Sequence, residues 1–171
     1  MLSAHRVTGT YRNQVTRYIA LSPFSADRFI VAGMRAERMR IKPNFVSSAV
    51  LPAWESRCGG LYVGRLSEEK GILTLLDAIR QGSAAPMTAI GTGPLEAQVK
   101  SELGDAFLGF RSRDEIMDRM RGASFLVVPS LCLEQLPTTI LEAFACGLPV
   151  IASRLGAVSY THLTLPTKRI V

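Results

Sequence analysis

Two glutamates in the second half of the chain have the type and spacing of ligand-binding residues. Glu134 and Glu142 stand on either side of seven intervening residues, and Pro137, which suits the start of a helix, lies between them. Glu134 then lies in the loop before the helix, and Glu142 lies about a turn and a half inside it. Free amides at the helix N-terminus, notably those of Thr138 and Thr139, favour an anion, and each carboxylate accepts hydrogen bonds from hydroxyl groups. This order of groups fits a sugar nucleotide, although capping or surface positions also explain the spacing.

Two basic residues earlier in the chain suit a pyrophosphate. Arg65 and Lys70 lie in the segment GRLSEEKG, residues 64–71, where a predicted strand leads into a predicted helix. Ligands of open parallel sheets bind at such positions. Gly64 lets a ligand approach the backbone, and the two cations can neutralise a pyrophosphate. An ordinary strand-to-helix turn with solvated charges would contain the same residues.

A third motif, Gly91-Thr92-Gly93-Pro94, follows another predicted strand. It departs from the GxGxxG fingerprint of dinucleotide-binding sites, and a tight turn into a helix that begins at a proline also explains it. Gly91 and Gly93 are therefore candidate binding residues mainly because they occur together with the other two motifs.

The elements that must position these motifs follow a regular order. From residue 59 onward, short apolar runs alternate with helical periodicity, which is typical of repeated βα units and a parallel sheet. The sequence predicts an α/β fold, a Rossmann-like parallel sheet with helices on both faces. The predicted strands are Gly60–Gly64, Met87–Ile90, Ala106–Gly109, Phe125–Val128 and Val150–Ala152.

Local signals mark the helices between these strands. The predicted markers are a buried stripe of Ile72, Leu75, Leu76 and Ile79 behind a Ser67 cap, a helix start at Pro94, a capping box of Ser112 and Glu115, and a helix from about Pro137 to Cys146 closed by Gly147. Upstream, the sequence predicts a strand at Tyr18–Leu21, a helix from Ser22-Pro23 to near Gly33, and a strand at Arg40–Ile41.

The formal net charge of +6 is unevenly distributed. Residues 1–46 contain eight basic and two acidic side chains, whereas residues 47–157 contain ten basic and twelve acidic ones. A segment of net negative charge is a poor candidate for the phosphate backbone of nucleic acids, so no nucleic-acid partner is expected. The basic opening is explained either by a solvated face or by a surface that contacts anionic lipid or an acidic partner.

Cysteine usage and hydropathy argue against a metal centre and a secreted protein. Cys58, Cys132 and Cys146 have no spacing that suits zinc, and their odd number argues against a disulfide framework, so we expect thiols in or near the core. No apolar run reaches the length of about 18 residues that crosses a bilayer. Arg6 and Arg12 lie where a signal peptide would have its apolar stretch. We expect a cytoplasmic protein, with contact to the inner membrane face as an open alternative for the basic opening.

The last 14 residues, VSYTHLTLPTKRIV, break the βα pattern. They resemble the in-frame translation of a transposon-type sequencing adapter over Val158–Thr167, and they carry no apolar periodicity. We expect residues 158–171 to be a non-native tail that packs poorly, and His162 within it is no catalytic candidate.

Taken together, the three motifs resemble the donor-binding domain of the family-four, GT-B-fold retaining glycosyltransferases. The resemblance covers about residues 15–157 and rests on GRLSEEKG, on GTGP and on the two glutamates followed by EAFACGLPVIAS. It implies that Arg65 and Lys70 hold the donor diphosphate, that Glu134 contacts the hexose and that Glu142 contacts the ribose hydroxyls. By the same resemblance, Phe110 and Arg111 are expected near the base.

The resemblance also predicts how the chain divides. Residues 1–46 resemble the end of an acceptor-side domain, residues 47–58 an interdomain linker, and residues 59–157 an incomplete donor-binding domain. Gln135-Leu136 replaces the Gly-Phe that is common after the first glutamate, which would alter the sugar pocket. The family's acceptor-side glycine-rich loop and its histidine belong to an amino-terminal domain, and that role is not assigned to His5.

The function implied is transfer of a hexose from a nucleotide diphosphate sugar to an acceptor sugar or lipid-linked glycan, with retention of configuration. The predicted catalytic residues are Glu134, Arg65 and Lys70, with no metal and no cofactor, and the fragment alone is expected to be inactive. Two alternatives remain open at this point. One is a sugar-nucleotide epimerase of the same fold, which the glutamate pair disfavours, and the other is a non-catalytic nucleotide-sugar-binding module.

Overall fold

A computed structural model describes residues 5, 8–46, 56–82, 85–156 and 158. Within these residues, the main structure is a five-stranded sheet in the order β5-β4-β3-β6-β7, with every neighbouring pair parallel. Two further strands, β1 and β2, pair with each other in a separate parallel sheet. The strands are β1 Tyr18–Ala20, β2 Met39–Ile41, β3 Gly60–Val63, β4 Met87–Ile90, β5 Phe107–Gly109, β6 Phe125–Val128 and β7 Val150–Ala152.

Helices connect successive strands of the main sheet. The α-helices are α1 Thr10–Asn13, α2 Pro23–Val31, α3 Ile72–Arg80, α4 Glu96–Leu103, α5 Arg113–Gly122 and α6 Thr138–Ala145. Short 3₁₀ turns occur at Ala36–Arg38, Glu68–Lys70 and Gly104–Ala106. The predicted α/β class with a parallel sheet is confirmed, and the predicted strands agree with the observed ones to within one residue at each end.

The sheet is covered on both faces because alternate strand residues point to opposite sides. Leu61, Ile90 and Leu126 pack with residues of α5 and α6 in one buried cluster. On the other face, Tyr62 and Ala89 pack with residues of α3 and α4, including the predicted stripe along α3. Two helix layers therefore leave only the ends of the sheet open, and the carboxyl ends of the strands are where the loops of interest begin.

Two of the five predicted helix starts, those at Ser67 and Pro94, differ from expectation. The capping box is confirmed, since Ser112 and Glu115 bond each other's backbone amides at the start of α5. The Ser67 cap is wrong, because its hydroxyl donates to the Glu69 carboxylate at 2.7 Å while α3 begins later, after Gly71. The helix expected at Pro94 begins two residues later, at Glu96.

The amino-terminal segment forms a small βαβ unit. Strands β1 and β2 flank α2, which Ser22 caps by accepting a hydrogen bond from the Ser25 amide. Ala20, Ala26 and Met39 form its small buried cluster. This agrees with the upstream elements predicted from the sequence.

The cysteines and the carboxyl-terminal residues correct two expectations. Cys146 is buried, but Cys58 is exposed, so the prediction that all three thiols lie in or near the core is wrong for Cys58. Val158 is buried against the cluster that includes Ile140, so poor packing does not hold for this first residue of the predicted tail. Residues 159–171 and the predicted linker at 47–55 lie outside the described residues, and the domain boundaries stay predictions.

Among the described helices, none combines the length and the apolar character that spanning a bilayer requires.

Gly71 offers a stability test of the contact between the loops after β3 and β6. Both Gly71 and Gly82 have a φ near +70°, which costs any residue with a Cβ about 1–2 kcal/mol. A methyl group at Gly71 would also overlap the carbonyl oxygen of Pro129, whereas at Gly82 it would meet open space. We therefore expect Gly71→Ala to lower the free energy of unfolding by about 1–3 kcal/mol more than Gly82→Ala does. Urea unfolding of both variants measures the difference, and equal losses would contradict the loop contact.

Candidate functional site

Two adjoining cavities lie at the carboxyl ends of the central strands. The smaller has a volume of about 220 Å³ and lies between the loop after β3 and the loop after β6. The larger, of about 500 Å³, lies between the loops after β3, β4 and β5. Val63, Gly64 and Arg65 line both cavities, so the end of β3 is their shared wall. This is the edge of a parallel sheet at which ligands of such folds bind.

An ion pair crosses the smaller cavity. Lys70 Nζ lies 2.6 Å from Glu134 Oε1, and the hydroxyl of Ser130 donates to the same oxygen at 2.7 Å. The Glu134 side chain is 14% exposed, the Lys70 side chain is 33% exposed, and Ser130 is buried. Oε1 therefore has two strong donors, whereas no described residue bonds Oε2. That second oxygen remains available to accept a hydrogen bond from a hydroxyl group of a ligand.

The charge on Lys70 is stabilised by this pair. Partial burial works against the ammonium, but the hydrogen bond and the negative charge of Glu134 outweigh it and raise the pKa of Lys70 above its ordinary value. The amine is therefore protonated at neutral pH. A protonated amine beside an open cavity suits an anionic group such as a phosphate.

Tyr62 fixes the turn that carries Arg65. Its hydroxyl donates to the backbone carbonyl of Arg65 at 2.8 Å. Burial, together with the negative charges of Glu134 and Glu69, raises the pKa of this phenol, so it remains a neutral donor. The side chain of Arg65 is exposed, and its backbone is held at the boundary of the two cavities.

The larger cavity is built by three neighbouring loops. Gly91, Gly93, Phe110 and Arg111 all line it. The loops after β3 and β4 approach so closely that a methyl group on Gly91 or Gly93 would overlap backbone atoms of the loop after β3. Hydrogen bonds from the Leu66 amide to Thr92 and from the Gly91 amide to Gly109 join the loops. The two glycines thus make room for backbone packing beside the cavity.

The exposed ring of Phe110 gives the larger cavity an apolar wall. This ring is 74% exposed, and the neighbouring Arg111 guanidinium donates to the Phe110 carbonyl at 2.8 Å. An exposed aromatic ring and an arginine that line the same cavity suit a flat aromatic group such as a base.

The N-terminus of α6 opens into the smaller cavity. Pro137, Thr138 and Thr139 line it, opposite Lys70. The first amides of a helix have no partners within the helix and carry partial positive charge. The cavity is therefore lined by an ammonium group and by the partly positive start of α6, as expected for an anion site.

Glu142 lies within α6, as predicted, although about one turn from its start and not a turn and a half, and it is outside the lining of both cavities. Its Oε1 lies 3.2 Å from Nε of Arg113, the first residue of α5, and its side chain is 13% exposed. The structure therefore groups ten of the eleven predicted site residues around the two cavities, and Glu142 is the one outside both linings.

Three residues of the site have no sequence signal that assigns them a role. Tyr62 reads as an ordinary buried strand residue, Ser130 as a loop residue, and Arg113 as a solvated charge at a helix start. Their contacts depend on which loops the sheet order brings together. Ser130 follows β6 and Lys70 follows β3, so only the knowledge that these strands are neighbours could have predicted that both residues contact Glu134.

The described residues contain no cluster of three or more metal-ligating side chains.

Several arginines of the basic opening bond the backbone. The Arg38 guanidinium donates to the carbonyl of Val15 at 2.7 Å, and that of Arg12 donates to Ala32 at 3.2 Å. Asn44 donates to the Leu136 carbonyl at 3.1 Å and so joins this segment to the Glu134 loop. Two of the basic side chains therefore hold local structure, and contact with anionic lipid stays a prediction.

Comparisons with known proteins point to one family. The profile described as Glycosyl transferases group 1 matches residues 58–164. The amylovoran biosynthesis glycosyltransferase AmsK of Erwinia amylovora is 33% identical over 147 residues, which cover 74% of this chain and 36% of that protein. The putative teichuronic acid biosynthesis glycosyltransferase TuaC of Bacillus subtilis is 33% identical over 114 residues, which cover 63% of this chain and 29% of that protein. The chain thus spans about a third of the length of these curated relatives.

A solved structure shows the same architecture. The crystal structure of Anabaena Alr3699/HepE in complex with UDP and glucose superposes with a TM-score of 0.74 and 27% identity, covering 94% of this chain and 50% of that one. Another crystal structure of that protein contains UDP-glucose. The predicted fold class, a Rossmann-like half of a GT-B fold, is confirmed by this similarity.

The buried hydrogen bond that holds Glu134 can be tested by comparing two serines. Ser130 and Ser67 are both buried and both donate to a glutamate at 2.7 Å, but Glu134 is largely buried whereas Glu69 is exposed. Ser130→Ala removes a bond to a poorly solvated carboxylate, so we expect a loss of about 1.5–3 kcal/mol in the free energy of unfolding. Ser67→Ala should lose less, because water replaces the bond. Chemical denaturation measures both, and a larger loss at Ser67 would contradict the role of Ser130.

Proposed function

Because the chain belongs to the Glycosyl transferases group 1 family, we propose that it contains the donor-binding half of a glycosyltransferase that transfers a hexose from a nucleotide diphosphate sugar. The observation that carries this proposal is the arrangement of the two cavities. They share Arg65, and one has an aromatic wall while the other has a Lys70–Glu134 pair opposite a helix N-terminus. The family match and the similarity to a UDP-glucose-binding protein support the proposal, and they do not favour the epimerase or the non-catalytic module.

We assign each part of the donor to a group of residues. The larger cavity, with Phe110 and Arg111, would take the base. Arg65, at the wall shared by the two cavities, and Lys70 and the first amides of α6, in the smaller cavity, would take the diphosphate. The unbonded oxygen of Glu134 would accept a hydroxyl of the hexose. Glu142 would accept a hydroxyl of the ribose.

The catalytic contribution of this half is stabilisation of the departing diphosphate. Negative charge develops on the leaving group as the glycosidic bond to the sugar breaks, and preorganised cations and amides stabilise it. Arg65, Lys70 and α6 are already placed for this role, and we propose that no metal takes part. Retention of configuration, as in family four, and an acceptor sugar or lipid-linked glycan are parts of the same proposal.

Transfer itself would need more than these residues. The donor-side groups all come from residues 59–150, whereas a closed, water-poor cleft needs a second wall. We therefore propose that the 171-residue chain binds the donor in an open site and transfers nothing by itself.

Removal of the diphosphate cations should weaken ligands that carry the diphosphate. Arg65→Ala and Lys70→Ala should each weaken UDP binding by about 1.5–3 kcal/mol, the range for hydrogen bonds to charged groups. Lys70→Ala also leaves the Glu134 carboxylate uncompensated beside the phosphates. Uridine, which has no phosphate, should bind nearly as well as to the unchanged chain. Isothermal titration calorimetry in the presence of EDTA measures the affinities of both variants and of the unchanged chain for the two ligands without a metal.

Lys100→Ala is the matched control for net charge. Lys100 is an exposed lysine on α4, away from both cavities. Its removal should leave UDP binding unchanged. Equal losses for uridine and UDP in the Arg65 and Lys70 variants would refute the diphosphate assignment.

Substitutions of the two glutamates should differ in their effect on binding when the ligand carries a sugar. Glu142→Ala should weaken UDP and UDP-glucose by similar factors, because both ligands contain the ribose. Glu134→Ala should weaken UDP-glucose more than UDP, because only the former presents a hexose to Oε2. Titration of each variant with both ligands decides the assignment. If Glu134→Ala weakens the two ligands equally, the hexose is bound elsewhere.

A further inference from the structure

Arg113 forms an ion pair with Glu142 that no motif of the sequence explains. Its Nε lies 3.2 Å from Glu142 Oε1, and its side chain is 66% exposed while that of Glu142 is 13% exposed. The pair joins the start of α5 to the interior of α6. Both helices pack on the same face of the sheet, and both begin after its carboxyl edge.

Stability of α5 does not account for an arginine at this position. Arg113 is the first residue of α5, where the partial positive charge of the helix favours acidic side chains such as those of Asp114 and Glu115. A cation here opposes the helix dipole. An ion pair with one partner this exposed also contributes little to folding. Such a local conflict is expected where a residue serves the site rather than the fold.

The backbone of Arg113 is nevertheless held in place. The Glu115 carboxylate accepts from the Ser112 amide at 2.8 Å and from the Ser112 hydroxyl at 2.7 Å, which fixes the first turn of α5. The guanidinium therefore reaches Glu142 from a defined position. It forms an ion pair with Oε1, and within the described part of the chain no residue donates a hydrogen bond to Oε2 of Glu142.

The pair also balances charge beside the proposed diphosphate. Glu142 lies one turn after Thr138, whose amide opens into the anion site, so the carboxylate and the phosphates would lie on one side of α6. An uncompensated carboxylate there would repel the ligand. Lys70 compensates Glu134 in the same way, through its Oε1. Each glutamate thus has one oxygen paired with a cation from a neighbouring element, and its second oxygen accepts no hydrogen bond from the described residues.

We propose that Arg113 is a positioning residue that orients Glu142 and neutralises its charge, so that its second oxygen can accept a ribose hydroxyl. This inference rests on the proposed function, in which Glu142 contacts the ribose. Arg113 itself need not touch the ligand. Removal of the Arg113 side chain should therefore mainly reduce the difference in affinity between ligands with and without the ribose hydroxyl.

The test compares UDP with 2′-deoxy-UDP on the full 171-residue chain by calorimetry. The unchanged chain should bind 2′-deoxy-UDP about tenfold or more weakly, because a hydrogen bond to a carboxylate is lost. In Arg113→Ala, UDP should bind several-fold more weakly, and the penalty for the missing hydroxyl should fall to about threefold or less, as expected for coupled groups. Arg113→Lys should restore part of both effects. In a Glu142→Gln background, Arg113→Ala should add little.

Arg121→Ala is the matched control, because Arg121 also lies on α5 and pairs with a carboxylate, that of Asp118, but outside both cavities. It should change neither UDP affinity nor the hydroxyl penalty. A full penalty in Arg113→Ala, or tighter UDP binding, would overturn the positioning role while leaving the proposed function intact. Absence of UDP binding by the unchanged chain, or of any hydroxyl penalty in it, would instead overturn the donor assignment and this inference with it.

Discussion

The ion pair between Lys70 and Glu134 joins the two loops on which the site depends. Lys70 ends the turn after β3, and Glu134 lies in the loop after β6, the neighbouring strand of the sheet. Two backbone features hold the same loops together. The Leu131 amide donates to the Glu69 carbonyl at 2.9 Å, and Gly71 leaves room for the Pro129 carbonyl. The cavity between the loops therefore has a width set by backbone packing, and the ion pair places opposite charges across it.

Close packing of backbone segments also shapes the larger cavity. The loops after β3, β4 and β5 are joined by amide-to-carbonyl hydrogen bonds, and Gly91 and Gly93 have no side chains that would separate them. Arg65 lies where this group of loops meets the loop after β6. An ordered turn at Arg65, held by the Tyr62 hydroxyl, thus connects an apolar compartment with a charged one.

Hydrophobic periodicity was sufficient to predict the strands, the order of the helices between them and the fold class, because burial on both faces of a parallel sheet imposes a repeating pattern on the sequence. The short helix α1 was not predicted. The candidate residues were also identifiable by type, since Arg65, Lys70 and Glu134 stand beside predicted strand ends. Their pairing was not identifiable, because the contact between Lys70 and Glu134 depends on β6 lying next to β3. The Ser67 cap failed for a related reason: the Glu69 carboxylate competes for the hydroxyl, and Gly71 delays the start of α3. Ser130 and Arg113 could not be found at all, because their roles exist only through tertiary contacts.

The Lys70–Glu134 and Arg113–Glu142 pairs show how acidic residues can belong to a site for an anion, because the two pairs share one pattern of burial. In each pair the glutamate is the more buried partner, at 14% for Glu134 and 13% for Glu142, whereas the cations are 33% and 66% exposed. The cations are thus the more solvent-accessible partners in both pairs, and the carboxylates are the more buried ones. A carboxylate in that position still accepts hydrogen bonds from neutral hydroxyl groups, which can approach closely without electrostatic cost. In the proposed donor site, the phosphates would lie at the exposed cations, and the neutral hydroxyl groups would reach the more buried carboxylates.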